Sequence, residues 1–265
     1  MDFYKYSATG NDFIVLDNRS SKYSSLNRDI WTKLCHRRTG IGSDGVLLLE
    51  NSNDYDFKMV YLNADGDSAE MCGNGARSIT HFAHFILKLK ASTSYSFEVN
   101  EVAYHSKVLS ETSVEVEMKD IKDINQIDLT SLSNYKYCKY LNTGVPHCVF
   151  EVEDLDNLNV PMIGKKIRNN KLFENGTNVN FFEIKDKIIS MRTFERGVED
   201  ETLSCGTGAV ATAIAISMKY NLTGILELIT KGGTLQVRHN QDFTQVYLLG
   251  PVELVYSGQY SFLDI

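Results

Sequence analysis

Residues 71–77 read MCGNGAR, and residues 204–210 read SCGTGAV. In both stretches a cysteine precedes a glycine, a small polar residue, a second glycine and an alanine. The first stretch is followed by apolar residues at helical spacing and the second by an almost wholly apolar run, so each cysteine is expected at the start of a helix. The glycines allow the backbone to turn tightly there and to approach a ligand closely.

The spacing along the chain indicates that the cysteine motif belongs to a duplicated unit. Counted from the glycine of a Thr-Gly pair, Cys72 lies 62 positions after Gly10 and Cys205 lies 61 positions after Gly144. Strand-like segments follow each Thr-Gly pair and flank each motif. The sequence therefore predicts an α+β fold of two similar pseudo-symmetric lobes. Each lobe is expected to be a mostly antiparallel sheet wrapped around a central helix, with the active site in the cleft between the lobes.

Polar residues without apolar periodicity fill positions 121–136, which is where we expect the linker between the lobes. The predicted N-terminal lobe is residues 1–120 and carries Cys72. The predicted C-terminal lobe is residues 121–265 and carries Cys205, although its last strand can return to the first lobe.

Composition excludes several functional classes. The chain has 265 residues, of which 43% are hydrophobic, and a net charge of −7, as expected of a globular protein that binds neither nucleic acid nor an anionic membrane. The N-terminal residues lack an apolar signal segment, so the expected location is the cytoplasm. The cysteines number five and form no C-x-x-C pair, which favours thiols in a reducing compartment over a disulfide framework.

A cysteine at a helix start has a distinctive chemistry. The first N–H groups of a helix lack partners within it, and the helix dipole places about half a positive charge there. Such a helix start binds anions and increases the thiolate fraction of a nearby cysteine. A single motif of this kind would be compatible with one nucleophile, whereas two motifs indicate a symmetric arrangement.

If the lobes face each other, two helix starts can hold one carboxylate, with a cysteine on each side of the adjacent carbon. A thiolate could then remove the α-proton, and a thiol on the opposite face could return one, which inverts the stereocentre. Two dipoles and several N–H donors would stabilise the carbanion. The chemistry requires no nicotinamide, flavin or pyridoxal cofactor and no metal, and the sequence contains no signature of these cofactors.

The order of seven short motifs gives the chain a resemblance to a known family. The motifs are GNDF (10–13), NADG (63–66), MCGNGAR (71–77), PHCV (146–149), TNVNF (177–181), ERG (195–197) and SCGTGA (204–209). Together they resemble diaminopimelate epimerase along nearly the whole chain. The resemblance implies a cofactor-independent homodimer that interconverts LL- and meso-diaminopimelate, a small amino-acid substrate of lysine and peptidoglycan-precursor synthesis.

The resemblance also implies roles for individual residues. Cys72 and Cys205 match the two catalytic acid–base thiols. Glu195 and Arg196 match the pair that handles the distal amino and carboxylate groups, and His147 matches a histidine that supports catalysis, as Glu195 also does. The remaining substrate-binding residues that it implies are Asn11, Asn63, Gly73, Asn74, Asn178, Gly206 and Thr207.

Two positions depart from the family pattern and bear on the substrate. Gly45 stands where the family commonly has Gln, and Val145 stands where it commonly has Asn. A racemase of the same fold that acts on histidine, proline or hydroxyproline is therefore an alternative. A second alternative is a non-catalytic amino-acid-binding protein, although binding a carboxylate alone would not require two sulfur atoms.

Other interpretations of the same residues are structural. Buried thiols often serve only packing, which is the role that we expect for Cys35, Cys138 and Cys148. A zinc site is disfavoured because structural zinc needs four ligands, usually in close pairs. A redox or thiol-transferase role would use reactive thiols but would not explain two glycine-rich anion sites. The asparagines at 11 and 63 could be ordinary turn residues, and the Glu-Arg pair a surface ion pair.

Overall fold

The computed structural model describes residues 1–119, 121–124 and 137–261. Its α-helices are α1 (Arg28–Cys35), α2 (Gly73–His81), α3 (Val160–Arg168) and α4 (Gly206–Tyr220). Its strands are β1 (Asp2–Ala8), β2 (Asn11–Asp17), β3 (Gly45–Glu50), β4 (Phe57–Asn63), β5 (Ser94–Val99), β6 (Val102–Ser110), β7 (Ser113–Met118), β8 (Ile121–Lys122), β9 (Tyr137–Thr143), β10 (Pro146–Glu151), β11 (Asn178–Lys185), β12 (Ile188–Glu195), β13 (Asp200–Thr202), β14 (Gly224–Thr230), β15 (Gly233–His239), β16 (Val246–Pro251) and β17 (Glu253–Gln259).

The chain divides into two compact units. Unit 1 comprises Met1–Val116 together with the segment that begins at Gly250, and unit 2 comprises Glu117–Leu249. Of the linker predicted at 121–136, residues 125–136 lie outside the described residues. Its first two residues form the short strand β8, which pairs with β9.

Unit 1 is built on a mostly antiparallel sheet. The hairpin β1–β2 turns at Thr9-Gly10, and β17 pairs with the other edge of β1. Strand β2 is parallel to β3 after a crossover that contains α1, and β3 pairs with β4 in the antiparallel sense. Strand β4 is parallel to β5 after a crossover that contains α2, and β5, β6 and β7 follow as antiparallel neighbours.

Unit 2 repeats this order. The hairpin β9–β10 turns at Thr143-Gly144, and β8 pairs with the other edge of β9. A parallel step from β10 to β11 crosses over through α3, and β11 pairs antiparallel with β12. A second parallel step, from β12 to β14, contains α4 and the small strand β13, and β14, β15 and β16 follow antiparallel.

The repeated order confirms the predicted α+β fold of two similar lobes. In each unit the central helix lies in the second crossover and begins directly after the motif cysteine. Every residue of α2 is buried, as are eleven residues of α4, since strands surround both helices. Among the described residues, no helix is both long and apolar enough to cross a membrane.

Two local predictions differ from the structure. The apolar spacing after the first motif predicts a helix over 75–90, whereas the helix begins at Gly73, ends at His81 and continues as one π-helical turn to Ile86. Soon after that turn, Lys88 adopts a left-handed conformation with φ +50°, which stops the helix. The first strand, β1, was not predicted, because its central Lys5 interrupts the apolar pattern; this lysine is nevertheless buried, and its ammonium group pairs with Asp12.

Candidate active site

Cys72 caps the N-terminus of α2. Its backbone is extended, with φ −119° and ψ 118°, and its sulfur accepts the N–H of Gly75 at 3.4 Å. The Cys72 carbonyl accepts the first intrahelical bond, from Ala76 at 2.8 Å. The thiol in turn lies 3.9 Å from the side-chain oxygen of Asn11 and donates to it. The sulfur therefore occupies the positive end of the helix dipole, where a thiolate is stabilised.

A directed chain of hydrogen bonds runs past this sulfur. Arg77 donates to Asn74 Oδ1 at 2.9 Å, Asn74 Nδ2 donates to Asn11 Oδ1 at 3.3 Å, and Asn11 Nδ2 donates to Asp44 Oδ2 at 2.8 Å. A guanidinium has only donors and a carboxylate only acceptors, so the two ends of the chain fix the orientation of both amides. The oxygen of Asn11 consequently faces Cys72 and Asn74.

Arg77 is fully buried, and no role for it can be inferred from the sequence pattern alone. Besides Asn74 it donates to the Thr9 hydroxyl at 3.3 Å and to the carbonyls of Gly73 and Pro251 at 3.5 and 3.4 Å. Burial lowers its pKa to about 10, and the nearby Cys72 acts in the opposite direction. The side chain therefore stays a cation at neutral pH, and these acceptors are all uncharged.

Ion pairs hold the Asn11 end of the chain. Asp44 pairs with Arg37 at 2.7 Å, and Arg37 also pairs with Asp12 at 2.7 Å. Asp12 forms a second ion pair with the buried Lys5 at 2.5 Å. Burial would raise the pKa of Asp12, but hydrogen bonds from Arg37 and Lys5 outweigh it and lower that pKa to about 2. The turn that carries Asn11 is thus fixed by charges on both sides.

Gly45 and Asn63 are opposite each other in the β3–β4 register. Asn63 ends β4 with an exposed side chain, and the turn 63–67 is closed by backbone bonds of its N–H to Asp67 and of its carbonyl to Gly66, both at 2.9 Å. A Cβ at position 45 would lie 2.6 Å from a ring carbon of Tyr61 and 2.6 Å from the Leu62 carbonyl oxygen. Position 45 has to be glycine here, since the Tyr61 ring occupies the space of a side chain.

In unit 2, Cys205 caps α4 in the same manner. Its φ is −131° and its ψ 114°, and the buried sulfur accepts the N–H of Gly208 at 3.4 Å. The Thr207 hydroxyl lies 3.4 Å from the same sulfur. Thr143, in the Thr-Gly turn, donates to the Thr207 carbonyl at 2.9 Å and so ties this turn to the helix start.

His147 lies on β10 and is fully buried. Asn180 donates to its Nδ1 at 2.9 Å and accepts from the Thr193 hydroxyl at 3.0 Å. Burial and, secondly, the charge of Arg196 lower the pKa of His147 to about 3, against the effect of the Asn180 bond. The imidazole is therefore neutral with its proton on Nε2, and this nitrogen has no hydrogen-bond partner within the described part of the chain.

Asn180 is a second residue of the site that the sequence pattern alone does not indicate. A Cβ at Gly208 would lie 2.3 Å from its side-chain oxygen, so the glycine lets the amide reach the first turn of α4. Through Asn180, the histidine is connected to the helix that Cys205 caps. Its only signal in the sequence is that it is the second asparagine of TNVNF.

Asn178, Glu195 and Arg196 come together at one end of β10–β12. Asn178 pairs in register with His147, donates to the Pro146 carbonyl at 3.0 Å and accepts the backbone N–H of Arg196 at 2.9 Å. The Arg196 guanidinium, half-buried, donates to the carbonyl of Asn175 at 3.2 Å. Glu195 ends β12 half-buried, at the position of unit 2 that corresponds to Asn63 in unit 1.

The three other cysteines have apolar surroundings. Cys148 and Cys138 lie in or against the cluster that contains Phe150 and Phe181, and burial raises the pKa of both thiols. Cys35 is buried on α1, where its sulfur accepts from the Ser43 hydroxyl at 3.3 Å. All five cysteines lie in the described part of the chain, and none forms a disulfide.

The known proteins with similar sequences share one description. A protein-family model described as diaminopimelate epimerase matches residues 3–122 and 139–255. The diaminopimelate epimerase of Flavobacterium psychrophilum is 43% identical over 263 residues, which are 97% of this chain and 98% of that protein. That of Aquifex aeolicus is 36% identical over 275 residues and covers 98% of each chain.

Solved structures share the fold at much lower identity. The crystal structure of a phenazine biosynthesis protein of the PhzF family from Bacillus anthracis has a TM-score of 0.74 at 14% identity and covers 99% of both chains. A hydroxyproline epimerase from Agrobacterium vitis, with bound trans-4-hydroxy-L-proline, has a TM-score of 0.65 at 13% identity over 97% of this chain and 91% of that one. These two likenesses support the two-lobed fold.

Proposed function

The chain belongs to the diaminopimelate epimerase family, and on that premise we propose that Cys72 and Cys205 are the two acid–base groups of its reaction. The protein is an isomerase that interconverts LL- and meso-diaminopimelate, which places it in lysine biosynthesis. The observation that carries the proposal is the equivalence of the two cysteines. Each one caps the central helix of its unit and accepts an N–H bond on sulfur at 3.4 Å.

The proposed reaction is one proton removal and one proton return. A thiolate takes the α-proton, so the C–H bond breaks, an S–H bond forms and the electron pair stays on the carbon. The thiol of the other cysteine then gives its proton to the opposite face of that carbon and becomes the thiolate. The two cysteines have exchanged protonation states at the end, and the stereocentre is inverted.

The carbanion is stabilised through the carboxylate next to it. The first-turn N–H groups of α2 and α4, at Gly73-Asn74 and Gly206-Thr207, are the donors that we assign to that carboxylate. Asn11 and the side chains of Asn74 and Thr207 line the same two helix starts, since each is within hydrogen-bonding reach of a motif residue. Donors fixed in advance require no reorganisation as the charge develops.

The second amino-acid centre of the substrate requires its own recognition. We assign this role to Asn178, Glu195 and Arg196, which form one connected group at the end of β10–β12, together with Asn63. Glu195 and the neutral His147 also support catalysis in this proposal. The Tyr61 ring fills the space that a larger side chain at position 45 would occupy. We therefore assign substrate contact near this position to the Tyr61 ring.

The proposal includes an assembly and a location. We propose a cytoplasmic homodimer that needs no cofactor, since thiol acid–base chemistry and N–H donors suffice for proton exchange. Sedimentation or light scattering of the purified protein measures the assembly. A monomer that turns over at the full rate would contradict the homodimer.

Substitution of the two motif cysteines tests the catalytic proposal. Cys72→Ala and Cys205→Ala are each expected to lower kcat by about 10²–10⁴-fold or more, because each removes a general acid–base group. Cys138→Ala is the matched control, since this half-buried cysteine lies outside both motifs, and we expect it to retain activity. Circular dichroism verifies the fold of all three. Near-normal epimerisation by either motif variant would disprove the two-thiol reaction.

Hydrogen exchange with solvent tests the substrate. Turnover in D₂O is expected to introduce deuterium at the inverted carbon of diaminopimelate, as measured by NMR. A panel with histidine, proline and hydroxyproline serves as control and is expected to show no α-exchange. Preference for a substrate without a distal carboxylate would remove the proposed role of Arg196.

A further inference from the structure

We propose that Arg77 is a positioning residue that holds Cys72 in its thiolate form, so that the two cysteines rest in opposite protonation states. This inference rests on the proposed two-thiol reaction, which needs one thiolate and one thiol at the start of each turnover. Four observations support it: the burial of Arg77, its uncharged partners, the charges around it, and the residue at the same position in the second motif.

The first two observations concern the guanidinium itself. Arg77 is fully buried, and its acceptors are the Thr9 hydroxyl, the Asn74 amide and two backbone carbonyls. Within the described residues it forms no salt bridge. A buried cation without a counterion is costly, so an anion that forms nearby is strongly favoured.

The Cys72 sulfur is the group in position to supply that anion. The guanidinium contacts Gly73 and Asn74, the two residues that follow Cys72, and it is close enough for the charge of Cys72 to act on the pKa of Arg77. Its charge therefore adds to the helix dipole and to the N–H of Gly75 that already points at the sulfur. All three favour the thiolate, whereas the Asn11 oxygen, which accepts from the protonated thiol, acts against it at the long distance of 3.9 Å.

The other charged groups around α2 do not cancel this effect. Asp44, on the loop before β3, is neutralised by Arg37 at 2.7 Å. Asp12 on β2 is neutralised by both Arg37 and Lys5. At the far end of α2, burial lowers the pKa of His81, and its Nδ1 contacts the hydroxyl of Tyr6 on β1, whose own pKa burial raises. At neutral pH both of these groups are uncharged.

The second motif lacks the cation. Aligned by the cysteines, MCGNGAR and SCGTGAV place Val210 at the position of Arg77, and Val210 is fully buried in unit 2. His147 in that unit is neutral, and Arg196 is half-buried with a backbone carbonyl as its partner. Cys205 consequently has the helix dipole, the Gly208 N–H and the neighbouring Thr207 hydroxyl beside its sulfur, but its own helix supplies no buried charge. The asymmetry assigns the resting thiolate to Cys72 and the resting thiol to Cys205.

Alkylation by iodoacetamide measures thiolate directly and requires no turnover. The folded protein is alkylated across a range of pH, and mass spectrometry of peptides quantifies modification at each cysteine. In the wild type we expect the pH midpoint for Cys72 to lie below that for Cys205. In Arg77→Gln the Cys72 midpoint should rise by about one pH unit or more, which is about a tenfold fall in the ratio of thiolate to thiol at a given pH. The acidic limb of kcat/KM against pH should move with it.

Arg77→Lys and Thr9→Ala are the matched controls. The lysine keeps the positive charge, so the Cys72 midpoint of Arg77→Lys should stay close to that of the wild type. If Arg77 had only a structural role, Arg77→Lys and Arg77→Gln should shift the midpoint alike, because both lose the guanidinium. Thr9→Ala removes one acceptor of Arg77 but leaves the charge, so the Cys72 midpoint should stay near that of the wild type. Thermal unfolding of each variant verifies that it is folded.

Two outcomes would overturn the inference. One is a folded Arg77→Gln variant with an unchanged Cys72 midpoint. The other is a wild-type midpoint for Cys72 equal to or above that for Cys205, and this measurement needs no variant. Neither result affects the two-thiol proposal, which fails instead if Cys72→Ala or Cys205→Ala retains turnover, so the two failures are distinguishable.

Discussion

At the scale of single residues, His147 shows how burial selects one protonation state. Its Nδ1 accepts from Asn180 and its Nε2 carries the proton without a partner among the described residues. A buried imidazolium would have to lose its hydration next to the charge of Arg196, which explains the lowered pKa. The residue can therefore donate a hydrogen bond through Nε2, but it does not supply a positive charge at neutral pH.

This protonation state predicts a dependence of stability on pH. The pKa of His147 is about 3 in the folded protein against 6.5 for an unperturbed histidine. Between these values the unfolded chain binds the extra proton, so the stabilisation is fully present above about pH 6.5 and is lost as the pH falls towards about 3. The slope contributed by this residue is at most about 1.4 kcal/mol per pH unit. Urea unfolding at several pH values between these limits measures it.

His147→Gln is the control for that slope, because glutamine keeps a polar side chain of similar size but does not titrate. The variant should be less stable near neutral pH, yet its stability should decline less steeply with acid than that of the wild type. Carboxylates contribute equally to both proteins and cancel in the difference. Parallel declines for the two proteins would mean that the pKa of His147 is the same in the folded and unfolded states.

The sequence identified some of these residues and not others for a physical reason. Cys72 and Cys205 could be found because glycines and a following apolar run mark a helix start in the sequence itself. Arg77 and Asn180 act through tertiary contacts, with Thr9 and Pro251 in one case and His147 and Gly208 in the other. Such contacts depend on strand register, which a single sequence does not specify.

At the scale of elements, ion pairs secure the hairpin β1–β2 against the loop before β3. Lys5 on β1 is buried; it pairs with Asp12 on β2 and also donates to the Gly42 carbonyl. Arg37, beyond α1, closes the group from the solvent side. The hydrophobic pattern alone could not reveal β1, because the charge of Lys5 at its centre is compensated by Asp12 on the next strand and by the Gly42 carbonyl, contacts that form only in the folded protein.

Substitutions within this group of ion pairs should lower the free energy of unfolding by unequal amounts. Asp12→Asn leaves the buried charge of Lys5 without its counterion and should lower the free energy of unfolding by roughly 2–4 kcal/mol, allowing for the 17% exposure of the Asp12 side chain. Arg37→Gln removes a partner whose side chain is 59% exposed, so the loss should be at most about 1 kcal/mol. Urea unfolding of both variants provides the comparison. Equal losses would mean that the lysine does not depend on Asp12.

At the scale of the whole molecule, the two units differ in how each hairpin obtains its outer strand, in addition to the small strand β13 of unit 2. In unit 2, β8 directly precedes the hairpin β9–β10 and pairs with β9. In unit 1 the equivalent partner of β1 is β17, which comes from the end of the chain. Residues from Gly250 onwards therefore belong to unit 1, and they also provide the Pro251 carbonyl that accepts from Arg77. Unit 1 is consequently closed by two segments that are far apart in the sequence.

This closure predicts that the C-terminal segment stabilises unit 1 through one buried side chain. Val252 is 1% exposed within the core cluster of unit 1, and its N–H donates to the Thr112 carbonyl at 3.0 Å, whereas Val255 on β17 is 51% exposed. Val252→Ala should lower the free energy of unfolding by about 1–3 kcal/mol and speed amide hydrogen exchange in β1, because it loosens the strand that pairs with β1. Val255→Ala, the matched control, should change stability by no more than about 0.5 kcal/mol. If both substitutions had the same small effect on hydrogen exchange in β1, the segment that begins at Gly250 would lie against unit 1 without contributing to its core.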